Sequence, residues 1–378
     1  MKIGIITQPL AVNYGGLLQN YSLQQTLLRL GHEVYTINRN NLPSIYFASL
    51  PQRLKYSIKQ WIKFFIGRPT YSLYWDHCRI TMHCASFVQK NIRTTDKFKT
   101  QEELLDIVRR YNFEGYISGS DQVWRPCYSE NINNDFLDFC QEQQGVKRIA
   151  YAASFGVDEW EFSEEQTREC KRLVKLFDAV SVRENSGIHL CKDYLGVDAL
   201  HVLDPTLLLE KEDYIKLAEE MKEPISSGEL FCYILDKNQE IESAIECIAS
   251  KLSLEAFEVK AKKNDFVRKW GEKIRDYVIP APTKWLRAFM DAKMVFTDSF
   301  HGCVFSIIFN KPFWVIGNKE RGNARFDSLL KLFNLEERRV DINGFKDIDL
   351  NAPIDWDKVN SIKRDWQEKS LNFMTDNL

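Results

Sequence analysis

The stretch MVFTDSFHGCVFSIIFNKPF, residues 294–313, decides how the rest of the chain is read. Its first four residues form an apolar run short enough for a buried strand. Asp298, Ser299, His301 and Gly302 interrupt it. The apolar pattern then resumes over 303–309 as a helix that Asn310-Lys311-Pro312 would end. A strand that stops at polar residues, turns and opens a helix is the repeating unit of a parallel sheet. In such sheets ligands bind outside the carboxyl ends of the strands.

Outward from this unit, the alternation continues in both directions. Strands are predicted over 2–7, 33–38, 116–118, 148–154 and 179–183, and helices over 17–30, 102–111, 164–177 and 184–195. After Asp204-Pro205 the pattern restarts with a helix near 213–221, a strand over 230–235, a helix over 239–252 and a strand over 256–260. Pro205 favours an extended break, so the domain boundary is placed there. Phe313 to Ile316 reads as a further strand. Trp356, Val359, Ile362 and Trp366 recur at helical spacing near the end of the chain. The fold class expected is α/β with parallel sheets and helices on both faces.

Composition narrows the function classes. A length of 378 residues with 44% hydrophobic content suits two domains, each with its own core. A net charge of −2 gives no basis for wholesale nucleic-acid binding. The apolar core at 3–6 is too short for a signal peptide, and no run reaches the roughly 18 apolar residues of a spanning helix. Nine cysteines without framework spacing fit reduced thiols. The expectation is a soluble, cytoplasmic, two-domain protein.

Five turns stand where strand carboxyl ends should meet helix amino ends. Asn13-Tyr14-Gly15-Gly16 lacks the lysine of a phosphate-binding P-loop but lets backbone approach a ligand closely. Ser120, Asp121, Gln122 and Trp124 offer hydrogen bonds and an aromatic platform to a sugar; in the structural alternative Asp121 caps a helix and Trp124 fills a core. Ser154 ends another strand. Arg183 would grip a carboxylate or phosphate, or else form a salt bridge with Glu184. The fifth turn holds Ser299, His301 and Gly302, and a histidine at a helix start can contact an anion or move a proton near neutral pH. Arg321, Asn323 and Arg325 follow the next strand at the same expected rim. Together they describe a site for a compact, multiply charged anion.

Other features resolve less sharply. The pairs His77-Cys78 and His83-Cys84 are spaced too widely for a usual zinc site, so no metal is expected. Cys303 reads as a small hydrophobe. From Val34 to Trp75 there is no acidic residue. Within 53–68, Leu54, Ile58, Trp61, Ile62 and Phe65 share one helical face, and Lys55, Lys59 and Lys63 another. That pattern suits a helix on an anionic membrane. It also suits a helix covering the domain core with its lysines in water, which is the expectation preferred.

Seven blocks, in order, carry a resemblance: NYGGLLQNYSLQQTL, YISGSDQVWRP, RIAYAASFG, SVRENSG, VLDPTLLL, TDSFHGCVFSIIFNKPF and NARFDSLLKL. They resemble the polysaccharide pyruvyl transferases, over residues 1 to about 335. The resemblance implies two Rossmann-like domains facing across a cleft, as in GT-B glycosyltransferases, over 1–204 on the acceptor side and 205–350 on the donor side. A helix over 351–378 would pack back toward the first. It implies pyruvate transfer from phosphoenolpyruvate, without a cofactor, to a sugar of a surface polysaccharide or lipid-linked oligosaccharide precursor, giving a cyclic ketal. His301, Arg183 and Arg325 would then be the catalytic and donor-contacting residues. Asn13, Gly15, Gly16, Ser120, Asp121, Gln122, Trp124, Ser154, Ser299, Gly302 and Asn323 would line the substrates. The family's block often reads Thr-x-Arg-x-His-Gly; here Ser299 stands at the arginine position, which leaves Arg325 or Arg321 to supply that cation. The enzymatic alternative is a GT-B glycosyltransferase using a nucleotide sugar. A catalytically silent glycan-binding protein is the alternative of another class. A lipid-linked acceptor would place the protein at the inner face of the cell membrane, with 53–68 as the stretch suited to peripheral contact.

Overall fold

Strand and helix alternate through the first 201 residues of the computed structural model, which describes residues 1–40, 42, 49–66, 70–71, 74–263, 267–268, 272–317, 322–341, 344–346 and 348–378. The elements run β1 (Lys2–Ile6), α1 (Tyr14–Arg29), β2 (Glu33–Arg39), α2 (Leu50–Phe65), β3 (Thr70–Tyr71), α3 (Tyr74–Ile80), α4 (Met82–Asn91) and β4 (Thr94–Phe98). Then come α5 (Gln101–Tyr111), β5 (Gly115–Ser118), α6 (Ile132–Asp135), β6 (Lys147–Ala153), α7 (Glu164–Val174), β7 (Ala179–Val182), α8 (Asn185–Leu190) and β8 (Leu200–His201). The second series is α9 (Lys211–Glu220), β9 (Leu230–Tyr233), α10 (Gln239–Leu252), β10 (Ala256–Phe257), β11 (Val267–Arg268), α11 (Pro282–Asp291) and β12 (Met294–Thr297). It closes with α12 (Phe300–Ile308), β13 (Phe313–Ile316), α13 (Ala324–Phe333), β14 (Arg339–Val340) and α14 (Trp356–Asn377).

Two parallel sheets result. The first has the order β4-β2-β1-β5-β6-β7-β8 and the second β10-β9-β12-β13-β14. These are the doubly wound Rossmann-like and flavodoxin-like orders. The local causes are plain. Ile3, Ile5 and Ile6 are wholly buried, as a central strand with helices on both faces requires. In α5, Leu104, Ile107 and Val108 repeat at helical spacing and are buried. Thr100 accepts from the Glu103 N–H at its start, and Asn112 ends it in the left-handed region. A register shift in β6, with Ala152 at φ 52°, forms a bulge next to the turn at Ser154.

The two halves share a core. Tyr14, at the start of α1, lies against Trp285 and Tyr233 with ring centroids 5.8 and 6.5 Å away, and its hydroxyl donates to the Pro280 carbonyl at 2.9 Å. Ser22 and Tyr214 are joined through their hydroxyls at 2.7 Å. The amphipathic helix expected near the end is α14. It meets the first half through Phe373, 6.2 Å from Tyr151, and through Ser370, which accepts from the Leu203 N–H at 3.0 Å.

The segment between β2 and β4 corrects one expectation. The preferred reading made 53–68 a helix whose apolar face covers the core. Instead α2 buries only Gln60, while Leu54 and Phe65 are 61% and 63% exposed. The helix meets the protein through Gln60, with Tyr56, Ser57, Lys63 and Phe64 half-buried, and turns its main apolar stripe outward. Arg68 lies outside the described residues. Among the described residues no helix is long and apolar enough to cross a membrane, and no group of three metal-ligating side chains comes together.

The β12–α12 unit itself is held by a close approach. A Cβ on Gly302 would stand 2.2 Å from Thr297 Oγ1. Thr297 cannot yield, because its hydroxyl donates to the Tyr233 carbonyl and accepts from the Ser299 N–H. Gly302→Ala gains about 1 kcal/mol in helix propensity. It should nonetheless lower stability by about 1–3 kcal/mol through overpacking, read as a lower urea midpoint at unchanged m-value. An unchanged midpoint would mean that the contact relaxes freely.

Candidate functional site

Strand order reverses between β1 and β5 in the first sheet and between β9 and β12 in the second. At such points the connections leave in opposite directions and a crevice opens at the carboxyl ends. The turns after β1, β5 and β12 therefore converge, and they hold 13–16, 119–121 and 298–302.

Asn13 precedes α1 in extended conformation, and Gly15 lies in its first turn. A Cβ on Gly15 would stand 2.0 Å from Nδ1 of His301, so only glycine admits the imidazole. His301 is the second residue of α12. Two helix amino ends, one from each half, thus meet at one imidazole. Each carries N–H groups with no acceptor inside its helix and the positive end of a dipole. Asp298 fixes the α12 turn by accepting from the N–H groups of Leu235 and Asp236 at 2.7 and 3.0 Å.

Beneath the histidine lies a buried cluster of charge. Asp204 Oδ2 accepts from Arg183 Nη1 at 2.7 Å and from Ser120 Oγ at 3.2 Å. The same oxygen stands 3.7 Å from His301 Nε2, an ion-pair distance when the ring is protonated. Asp204 Oδ1 accepts from the Thr206 N–H and hydroxyl at 3.0 and 2.6 Å. Arg183 Nη2 donates to Asp121 Oδ1 at 3.1 Å. Asp121 sits at φ 71°, a left-handed conformation that an aspartate tolerates at a cost of about 1 kcal/mol. Burial would raise the pKa of Asp204, but His301, Arg183 and Thr206 hold it well below the ordinary carboxylate range. Asp121 is likewise held low against burial, by Arg183, His301 and Arg325. Glu184 behaves oppositely: burial raises its pKa although Arg183 and backbone N–H groups oppose it. Its Oε1 accepts from the N–H groups of Phe155 and Gly156.

The Phe300 ring joins this cluster to the second half. The guanidinium carbon of Arg183 lies 4.7 Å from its centroid and that of Arg325 5.7 Å. Burial and then the charge of Arg183 lower the Arg325 pKa to about 10, so it stays cationic at neutral pH. An anion arriving beside Arg325 would relieve that repulsion. The helix bearing Arg325 docks on α8, where Ser328 Oγ accepts from the Asn185 N–H at 2.9 Å.

The expected residues therefore divide. His301, Gly15, Asp121, Arg183 and Ser120 converge, and Arg325 joins them through Phe300. Asn13 and Gly16 stand beside Asp121, with the Asn13 amide 3.5 Å from its Oδ2. Gln122 faces Gly156, its amide oxygen accepting from Arg125 at 3.3 Å. Asn323 precedes α13 and Ser299 precedes α12. Arg321 lies outside the described residues.

Three expectations need correction. Trp124 is no sugar platform: it is wholly buried, stacked on Phe136 at 4.6 Å, with its indole N–H given to the Asp135 carbonyl. Ser120 and Ser154 have no surface to offer a substrate. Arg183 is not an open cation, because its side chain has 0% exposure and two carboxylates already neutralise it. Asp204, Glu184 and Phe300 were missed as site residues. In the sequence Asp204 marks the boundary and lies in the block VLDPTLLL, with no role implied for it. Its local signal, an aspartate before Pro205 and Thr206, is shared with ordinary turns. Cys303 is buried as expected, and burial pushes its thiol pKa well up.

Two cavities open at the carboxyl ends of the sheets. One of about 370 Å³ lies between the start of α1 and the second sheet, lined by Tyr14, Tyr233, Lys260 and Ile279 among others. One of about 230 Å³ lies on the first half, lined by Arg39, Lys99, Tyr128 and Asn131 among others.

Solved structures share this fold at low identity. The UDP-GlcNAc 2-epimerase from Methanocaldococcus jannaschii matches with a TM-score of 0.52 at 12% identity, over 98% of this chain and 99% of that one. The S. aureus MnaA-UDP co-structure matches with a TM-score of 0.50 at 11% identity, over 91% and 86%. At such identities the likeness speaks for the two-halved GT-B-like fold. No curated protein matches the sequence. A family model described as polysaccharide pyruvyl transferase matches residues 13–320.

Removing Arg183 would leave Asp121 and Asp204 buried without their common partner. Arg183→Met should therefore destabilise the protein by about 3–5 kcal/mol, seen in chemical denaturation; wild-type stability would show that the carboxylates find other partners. The low pKa values of Asp121 and Asp204 carry a sign. Their contribution is full above the unfolded carboxylate value near pH ~4 and is lost as the pH falls toward the folded values. The denaturation midpoint should accordingly hold steady above about pH 5 and drop below about pH 4. A midpoint unchanged down to pH ~3 would contradict the pairing.

Proposed function

This chain belongs to the polysaccharide pyruvyl transferase family, and we propose that it transfers pyruvate from phosphoenolpyruvate to a sugar of a glycan precursor, forming a ketal. The observation that carries this reading is the setting of His301. Its Nε2 is buried, has no hydrogen-bond partner among the described residues, and lies between two helix amino ends beside Asp204. A buried imidazole next to a carboxylate is equipped to hold a proton and pass it on. The helix ends and Arg325 supply positive potential for a phosphate and a carboxylate.

In the proposed reaction a proton adds to the methylene carbon of phosphoenolpyruvate and makes it a methyl group. The central carbon becomes oxocarbenium-like, and one acceptor hydroxyl adds to it and gives up its proton. The bond from that carbon to the phosphate oxygen then breaks. A second hydroxyl adds, gives up its proton and closes the ketal. One hydroxyl proton balances that placed on the methyl group, and the other leaves on phosphate. His301 is assigned the proton transfers. Arg325 is assigned the anionic donor, standing in for the cation that Ser299 lacks. Arg183 becomes a positioning residue that holds Asp121 and Asp204 around the histidine. We further propose the division 1–204 for the acceptor and 205–350 for the donor, with 351–378 returning to the first half. The polar 230 Å³ cavity on the first half supports the acceptor assignment.

Phosphate release from phosphoenolpyruvate on addition of galactoside, glucoside or N-acetylmannosaminide acceptors tests the reading. His301→Ala should cut turnover by about a hundredfold or more while the protein stays folded. Arg325→Ala should chiefly raise the KM for the donor. Near-normal turnover of folded His301→Ala would leave that histidine a structural residue. Release of nucleotide from a nucleotide sugar instead would make the protein a glycosyltransferase, and binding of glycan with neither release would make it a lectin-like protein.

A further inference from the structure

We propose that α2 is a docking helix by which the protein lies on an anionic membrane surface. At about 100° per residue, Leu50, Leu54, Ile58, Trp61, Ile62 and Phe65 fall within an arc of about 120° on the helix. All six are more than half exposed. The side toward the protein is the other one, where Gln60 is buried and Tyr56, Ser57 and Phe64 are half-buried. A surface helix of a soluble protein ordinarily buries its apolar stripe and exposes its polar one. Here the apolar stripe is left outside, so it is suited to an apolar medium outside the protein.

Charge identifies that medium. Lys55 and Lys59 flank the apolar arc and are exposed, Arg53 is exposed, and Lys63 is half-buried. No acidic residue occurs from Val34 to Trp75, although the whole chain carries a net charge of −2. An apolar stripe bearing tryptophan and phenylalanine, bordered by lysines, matches the depth profile of an anionic bilayer surface: rings at the headgroups and ammonium groups at the phosphates. A second copy of the chain fits less well. A helix of 16 residues is about 24 Å long, and a stripe about 10 Å wide gives about 240 Å². A stable interface needs about 800 Å² from each partner.

The position of α2 connects this surface to the cleft. The strand β3 follows α2 within the same connection and pairs antiparallel with β11 of the second half. The segment containing β11 is bounded by residues that line the larger cavity, Lys260 and Ala261 before it and Ile279 after it. α2 also follows Arg39 and Asn40, which line the cavity of the first half assigned to the acceptor, so docking through α2 would hold the cleft toward the bilayer, where a lipid-carried acceptor would arrive. This last point rests on the glycan-precursor reading; the docking itself does not.

Co-sedimentation with vesicles tests it, using phosphatidylglycerol–phosphatidylcholine mixtures and phosphatidylcholine alone, at low and high salt. The wild-type chain should pellet with the anionic vesicles at low salt, and less at high salt. It should stay in the supernatant with phosphatidylcholine. Lys55→Glu/Lys59→Glu should lower partitioning by about thirtyfold or more, and Trp61→Ser/Ile62→Ser should abolish it. Both variants should keep the wild-type thermal midpoint and the wild-type phosphate release with a water-soluble acceptor. That second measurement separates failure of docking from failure of the pyruvyl-transfer reading. Wild-type protein left in the supernatant at low salt would overturn the proposal. So would equal binding to both vesicle types, or a dimer in sedimentation velocity that Trp61→Ser/Ile62→Ser dissociates.

Discussion

One guanidinium between two carboxylates organises the centre of this protein. Arg183 holds Asp121 and Asp204 at 3.1 and 2.7 Å in a place where none of the three side chains has appreciable contact with water. Burying any of these charges alone would cost several kcal/mol, and the cluster persists because each charge meets its opposite and further hydrogen bonds fill the remaining positions. Ser120 and Thr206 satisfy Asp204, and the Phe300 ring covers the guanidinium face. The residues come from the ends of β5 and β7 and from the turn after β8, so the cluster also fixes how three strand ends of the first sheet sit relative to one another.

The second half meets this cluster through a close approach of a different kind, and a similar approach fixes the unit that makes it. Gly15 lets the His301 imidazole come to the first turn of α1, and Gly302 lets α12 lie down on Thr297. Both are close approaches that a methyl group would obstruct. They place a titratable ring over a buried carboxylate at the meeting point of two helix dipoles. On the reaction we propose, this one spot would serve both proton transfer and anion binding, the combination that transfer from an enol phosphate to a hydroxyl calls for. Arg325 adds a second guanidinium on the Phe300 ring, beside an Arg183 already held by two carboxylates.

The outward-facing α2 follows a separate logic. Its apolar residues take no part in the shared core of the two halves, and its basic residues have no acidic neighbours in sequence. A helix of this kind is costly in water and favoured at an interface, which is the ground on which we proposed it as a docking surface.

Much of this is legible in the amino-acid sequence. Short apolar runs and period-3.6 stripes gave most strands and helices of both series but not α3, α4, β4 or α11, because elements buried on both faces must be apolar throughout and amphipathic helices must repeat their stripe. The glycines and the histidine stood out because a strand end opening onto a helix leaves few residues free to do chemistry. What the sequence could not decide was which charged residues face one another. Asp204 and Arg183 are 21 positions apart and Asp121 and Arg183 are 62 apart. No periodicity connects such pairs; only the register of neighbouring strands in a folded sheet does. Trp124 looked equally suited to a core and to a sugar because an indole serves both, and the packing of Phe136 against it settled the matter. The same holds for α2: its stripe and its lysines were written in the sequence, but the side turned to the protein depended on what the neighbouring surface would accept, and that surface took Gln60.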